Sequence, residues 1–173
     1  MSLLFGFFVS EASAYKVIRN MLIRKEIKYE KLVRQGNGRP YRAFSNWNVP
    51  DDQWKHELDL TDICKLYPVN FLRGGEVNEN YKSDAEAEFQ GELHYFEMDE
   101  STERGEKLEQ RLHAYDYVRN PVLWITHRED RRRNMIDKCS NENCYFGLFK
   151  EIIDDPYGPV WVNKRGERAS ITS

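Results

Sequence analysis

A chain of 173 residues with 40% hydrophobic and 13% aromatic content carries enough apolar side chain for a packed core, which excludes wholesale disorder. Its formal charge of -3 is modest, but the charge is unevenly placed. Tyr15 to Ser45 holds nine Lys and Arg against Glu26 and Glu30, a local +7 that leaves -10 for the rest, and Glu76 to Glu109 holds twelve acids against three bases. A basic segment beside an acidic one suggests a polyanion partner for the first and metal chemistry in the second, against the alternative of two solvated faces.

The run Met1 to Val9 precedes Ala12-Ser13-Ala14 and so has the outline of a secretory leader. No basic residue comes before it, Glu11 sits in the would-be cleavage region, and the run is too short to span a membrane. It reads as a buried element, with the cytoplasm as the expected compartment. Ser10 can cap a helix to about Lys25, with Val17, Ile18, Met21 and Leu22 as its apolar stripe. A strand over 27–34, a turn at Gln35-Gly36-Asn37-Gly38 and a return over 39–44 form a basic hairpin, with Pro40 confining the return to an edge. Helix followed by basic hairpin is the second half of a winged helix, so residues 1–48 read as a partial winged-helix segment. Lys16, Arg19, Arg24, Lys28, Arg34, Arg39 and Arg42 are its candidate contacts to double-stranded DNA. The same shape also serves dimerisation, so a homodimer is an alternative use of it.

Residues 49–173 read as an α/β unit. Pro50 to Leu66 predicts a helix, stopped by Pro68, and 69–73 a short strand ended by Gly74-Gly75. An acidic stretch without regular structure follows. Ala85, Ala87 and Phe89 alternate with polar residues, Gln90-Gly91 turns the chain, and 92–98 returns as a strand. Ser101 or Thr102 can cap a helix carrying Leu108, Leu112, Tyr115 and Val118. The continuous apolar run within 121–126 predicts a buried central strand. A charged helix over 128–138, a strand over 144–149, a further strand near 159–162 and a frayed polar tail from Lys164 complete the chain. The order predicts an α+β mixed sheet covered on both faces, with the strands near 69–73, 84–89, 92–98, 121–126 and 144–149 in one sheet.

This element order resembles that of a restriction-endonuclease-like core. In such a core, acids on two adjacent strands hold a divalent ion and a lysine positions a water. Asp84 fits the first acid and Glu97-Met98-Asp99 the second motif, with Asp99 where the lysine belongs. Arg111, one helix on, is the cation that stands in for it, and arginine stabilises negative charge but is a poor base. Asp84, Glu97, Asp99 and Arg111 are therefore the candidate catalytic set. Asp84 and Glu97 are the candidate ligands for Mg²⁺ or Mn²⁺ if the chain cuts DNA; no other cofactor is expected. The alternative makes Glu97 and Asp99 ordinary strand-end acids, capping the next helix or paired with Arg111.

The ordered series His56-Glu57-Leu58, Asp84, Glu97-Met98-Asp99-Glu100-Ser101-Thr102, Arg111-Leu112-His113-Ala114-Tyr115, the apolar 122–126 strand and Arg128 to Arg133 resembles the replication-relaxation family of plasmid and mobile-element proteins. The resemblance covers roughly residues 14 to 150 and implies a winged helix leading into a nuclease-like core. Two positions depart from it: the winged helix is truncated, and Ser83 stands where the family has Pro before the strand-two acid.

The remaining candidates are weaker. Arg128 and Arg131 to Arg133 can clasp phosphates or form a solvated helix face. His56, His94, His113 and His127 lack a ligand-pair spacing and read as surface or core residues. Cys64, Cys139 and Cys144 are an odd count that suits a reducing compartment, and no second pair completes a zinc set with Cys139 and Cys144. Three functions stay open: a non-catalytic DNA-associated regulator or accessory factor, a metal-dependent endonuclease, and a dimeric interaction module.

Overall fold

The computed structural model describes residues 11–24, 26–27, 29–33, 41–45, 49–50 and 52–171. The chain forms two compact units, Met1–Leu58 and Asp59–Ser173. The apolar run before Ser10 and the expected turn at 35–38 lie outside the described residues.

In the first unit, α1 (Glu11–Ile23) is followed by an antiparallel pair, β1 (Tyr29–Val33) and β2 (Tyr41–Ser45), in register from Tyr29 opposite Ser45 to Val33 opposite Tyr41. The expected succession of helix and hairpin is present. On α1, Ile18 is buried and Met21 half-buried, while Lys16, Val17 and Arg19 are exposed, so Val17 lies outside the buried face. Val49, Trp54 and Leu58 form a small apolar cluster around the start of α2 (Trp54–Cys64).

The second unit is a mixed α/β fold built on a seven-stranded sheet. In chain order its elements are the second half of α2, β3 (Phe71–Arg73), β4 (Glu76–Asn78), β5 (Tyr81–Lys82), β6 (Ala85–Phe89), β7 (Glu92–Asp99), α3 (Glu106–His113), β8 (Val122–Thr126), α4 (Glu129–Lys138), β9 (Cys144–Leu148), α5 (Phe149–Asp154), β10 (Trp161–Asn163) and β11 (Arg168–Ala169). The sheet order is β11-β10-β9-β8-β7-β6-β3. The centre is parallel, β7 with β8 and β8 with β9, and every other pairing is antiparallel. All five expected strands share this sheet. β8 is its middle strand and is buried along its whole length, as an apolar run with no polar alternation requires.

Alternation along the strands divides the side chains between two faces. One face carries Ala85, Ala87 and Phe89 of β6, Phe96 and Met98 of β7, and Leu123 and Ile125 of β8, packed with Leu60 and Ile63 of α2 and Ile152 of α5. The other carries Tyr95, Val122 and Trp124, packed with Leu108 and Leu112 of α3, Tyr115 and Met135 of α4. β6 and β7 are joined by the two residues Gln90 and Gly91, with φ of 51° and 83°, and Phe89 faces Glu92 across the turn. Two left-handed residues give the connection whose twist matches the strands it joins, and this turn fixes which β7 residue stands beside which β6 residue.

Several expectations are corrected. The stretch 76–83, expected to be irregular, is the hairpin β4–β5. α3 does not start on a Ser101 or Thr102 cap: Ser101 is left-handed at φ 59°, and the helix begins after Gly105, whose φ of 58° a side chain would resist. Tyr115 and Val118 follow α3 in a turn rather than extending it. The tail is not frayed at Lys164: β11 pairs with β10, and Ile171 is buried in the core beside Trp161. Arg131 and Arg132 are buried rather than solvated, while Arg128 and Arg133 remain exposed.

Candidate functional site: a buried carboxylate–guanidinium cluster

The face opposite α2 collects the acids at the β6–β7 junction. Ala85 points to the α2 face, so Asp84 just before it points away; Phe96 and Met98 likewise place Glu97 and Asp99 on the side of α3. Ala85 pairs with Phe96, which brings Asp84 alongside Glu97 and Met98. The Met98 amide donates to Asp84 Oδ2 at 2.8 Å, and the Asp84 amide donates to Glu97 Oε1 at 3.3 Å. Ser83 is buried, and its amide and hydroxyl both donate to the Gly75 carbonyl, at 2.8 and 3.2 Å. A proline there would lose the amide bond.

Arg111 enters from the last turn of α3. Its Nη2 lies 2.5 Å from Glu97 Oε2 and 3.2 Å from Asp84 Oδ2, and also donates to the Met98 carbonyl at 3.2 Å. Its Nε donates to Glu97 Oε2 at 3.1 Å and to the Tyr81 hydroxyl at 2.9 Å. The guanidinium sits over the Trp124 ring, 5.2 Å from its centroid, a cation–π contact inside the protein. Tyr115 donates to Glu97 Oε1 and Tyr81 to Glu97 Oε2, so both oxygens of this fully buried carboxylate are saturated. The sequence placed Asp84, Glu97 and Arg111 together, and the structure brings them together. It did not place Tyr81, which the β4–β5 hairpin delivers, or assign a polar role to Tyr115, read only as an apolar helix position.

Electrostatics follow from this packing. Burial pushes the Glu97 carboxyl up to about 7, and Asp84 adds to the rise, while Arg111 and the hydrogen bonds from Tyr115 and Arg111 pull against it. Burial works against the Arg111 cation too, but Glu97, Tyr81 and Asp84 outweigh it and hold the guanidinium above its ordinary value. Both tyrosines are raised, first by burial and then by the charge of Glu97.

Asp99 is held separately. Arg131 of α4 clasps it through two parallel bonds of 2.8 Å, and the Ser101 amide donates to it at 3.1 Å; Arg111 Nη1 is 3.9 Å away. This fork-on-carboxylate geometry is the strongest form of the pair, and it occupies the residue standing at the lysine position. Arg132 spans Glu129 and Glu151, at 2.5 and 3.0 Å. Arg104, Arg128, Arg131 and Lys138 line one cleft, but Arg128 is bound to Asp130, Arg131 to Asp99 and Lys138 to Glu109. Each arginine of the expected phosphate clasp, Arg128 and Arg131 to Arg133, is thus paired with an acid of the protein itself.

Of the residues expected to contact DNA, Lys16 and Arg19 are exposed on α1, and Arg24, in the turn just after it, is exposed and 3.9 Å from Glu26. Arg42 lies in β2; Lys28, Arg34 and Arg39 lie outside the described residues. Cys139 and Cys144 are free and buried, and the Cys139 thiol donates to the Asn141 carbonyl at 3.6 Å. Among the described residues one group of metal-ligating side chains comes together, Asp59, Glu100 and His127, without either cysteine. No helix among the described residues is long and apolar enough to cross a membrane.

Fold and site together define a mixed α/β protein with a buried ion-pair cluster at the junction of an antiparallel and a parallel half-sheet. Comparison with protein-family models, curated proteins and solved structures finds no match to the chain.

Proposed function

We propose that this chain is a DNA-associated regulatory or accessory protein of a plasmid, phage or other mobile element, whose restriction-endonuclease-like core does not cleave. The observation that carries this reading is the position of Arg111. Its Nη2 touches both Asp84 and Glu97, the two acids that would have to hold a divalent ion between them. A guanidinium there satisfies the carboxylates as a permanent cation, but it carries no water and accepts no proton. Asp99, in the lysine position, is bound by Arg131. The cluster therefore works as a polar keystone of the core, and affinity for DNA falls to the N-terminal unit.

That unit supplies the surface the reading needs. Lys16 and Arg19 stand one turn apart and exposed on α1, within a segment of +7, ahead of the β1–β2 hairpin that the proposal reads as the wing. Phosphate contacts from such residues release counterions, so binding to duplex DNA weakens by about 0.9 log unit per tenfold salt for each neutralised phosphate. The test is a salt titration of binding to a double-stranded DNA fragment. Lys16→Ala with Arg19→Ala flattens the slope by up to about 1.8, two phosphates' worth. Absence of binding at low salt returns the protein to the dimeric interaction module.

A further inference from the structure

The carboxyl ends of β7 and β8 carry a second constellation, on the face opposite Arg111. Met98 and Ile125 are the last side chains of these two strands in the α2-facing core. Glu100 and His127 lie two residues beyond each, and they meet Asp59, which sits on α2 next to the core residue Leu60. His127 Nε2 lies 2.9 Å from Asp59 Oδ2 and 3.8 Å from Glu100 Oε1, and all three donor atoms fall within 4.8 Å of one another. The Asp59 side chain is 3% exposed, Glu100 18% and His127 33%, so the group is anchored on α2 and opens to solvent at the histidine. The His127 ring packs against Phe149 with centroids 4.8 Å apart, which sets the direction of its nitrogens.

We propose that Asp59, Glu100 and His127 bind a divalent transition cation of the zinc or manganese type. Three arguments converge on this. The donor set is two carboxylates and one imidazole; the imidazole favours a transition ion over magnesium or calcium, and the carboxylates keep manganese within range. The spacing is close to what an ion needs, because ligands about 2.0–2.2 Å from one ion stand roughly 3.0–3.4 Å apart, while His127 Nε2 is 2.9 Å from Asp59 Oδ2 and 3.8 Å from Glu100 Oε1. The location fits as well: Glu100 and His127 follow the carboxyl ends of the adjacent parallel strands β7 and β8, the end at which open α/β sheets take their ligands, and Asp59 reaches them from α2. The open positions on the ion, one for a tetrahedral zinc and up to three for an octahedral manganese, would be filled on the solvent side of His127 by water or by a ligand oxygen. This site is independent of the cluster around Arg111, so it stands or falls apart from the proposed DNA association.

The experiment uses the full chain after chelator treatment, titrated calorimetrically with ZnCl₂, with MnCl₂ line broadening of its nuclear magnetic resonance signals to locate the ion. The expected result is one ion per chain, with manganese broadening centred on His127, Leu60 and Phe149. In His127→Gln, whose amide can still donate to Asp59, affinity falls more than about tenfold, since even partners outside the ligand shell carry that much. Glu100→Gln gives a second reduction. No binding by wild type at about 1 mM zinc overturns the proposal and leaves a plain Asp59–His127 hydrogen bond. So do unchanged affinity in both variants, and broadening centred on Tyr81 and Tyr115, which would put the ion between Asp84 and Glu97.

Discussion

Replacing Arg111 by Met keeps an unbranched apolar stem and removes the guanidinium with its charge. In the native core the guanidinium donates twice to Glu97, which is 0% exposed, and once to Asp84, while its own side chain is 15% exposed. Without it, Glu97 must either remain charged and unpaired or take a proton while Asp84 faces it. Breaking a buried pair from one side costs about 3–5 kcal/mol. For a chain of this size that lowers the melting temperature by roughly 6–20 °C. The double variant Arg111→Met with Glu97→Gln removes both charges and leaves an amide that still accepts from Tyr115; it should recover more than about half of the loss. Urea denaturation of wild type, single and double variants measures this directly. An Arg111→Met protein within about 1 kcal/mol of wild type, or a double variant no better than the single, would refute the keystone role of the pair.

Two further outcomes follow from the same structure. Glu97 is raised to about 7 in the folded state against an ordinary 4.5, so between those values the folded protein holds its proton more tightly than the unfolded chain. Its contribution is greatest at the acid end and is lost as the pH rises through about 7. Wild type should therefore lose up to about 3 kcal/mol relative to Glu97→Gln between pH 4.5 and 8, read from denaturation midpoints; a parallel pH dependence of the two contradicts the shift. Ile171→Ala, in the tail the sequence leaves frayed, should cost about 2–3 kcal/mol because Ile171 is 6% exposed within the core; a neutral effect would place the tail outside it.

What was legible in the sequence was what local patterning determines. The run Val122 to Thr126 allows only a strand buried on both sides, and the alternation of Ala85, Ala87 and Phe89 fixes which face Asp84 occupies. Once Gln90-Gly91 is a two-residue turn, Asp84 beside Glu97 is a consequence of register. What was illegible depended on partners far along the chain. Arg131 sits in a charge run that looks solvated until Asp99, on another strand, is known to lie against it. Tyr81 is invisible as a site residue because the hairpin that presents it is short and rich in polar residues. Asp59 and His127 are 68 residues apart, and no spacing rule joins a helix to the end of a central strand. The start of α3 was misplaced because Ser101 and Thr102 have capping side chains, while the chain uses Gly105 to enter the helix from a left-handed conformation.

The measurement that bears most directly on the central claim is a nicking assay on supercoiled plasmid DNA, with purified wild type and Glu97→Ala, in magnesium or manganese and with chelator. Arg111 pairs with both acids and Arg131 clasps Asp99, so the residues standing at the metal and lysine positions of this cluster are already engaged, and DNA retention at low salt without metal-dependent nicking is expected. Nicking by wild type that requires the metal and disappears in Glu97→Ala would contradict it and make the chain an endonuclease.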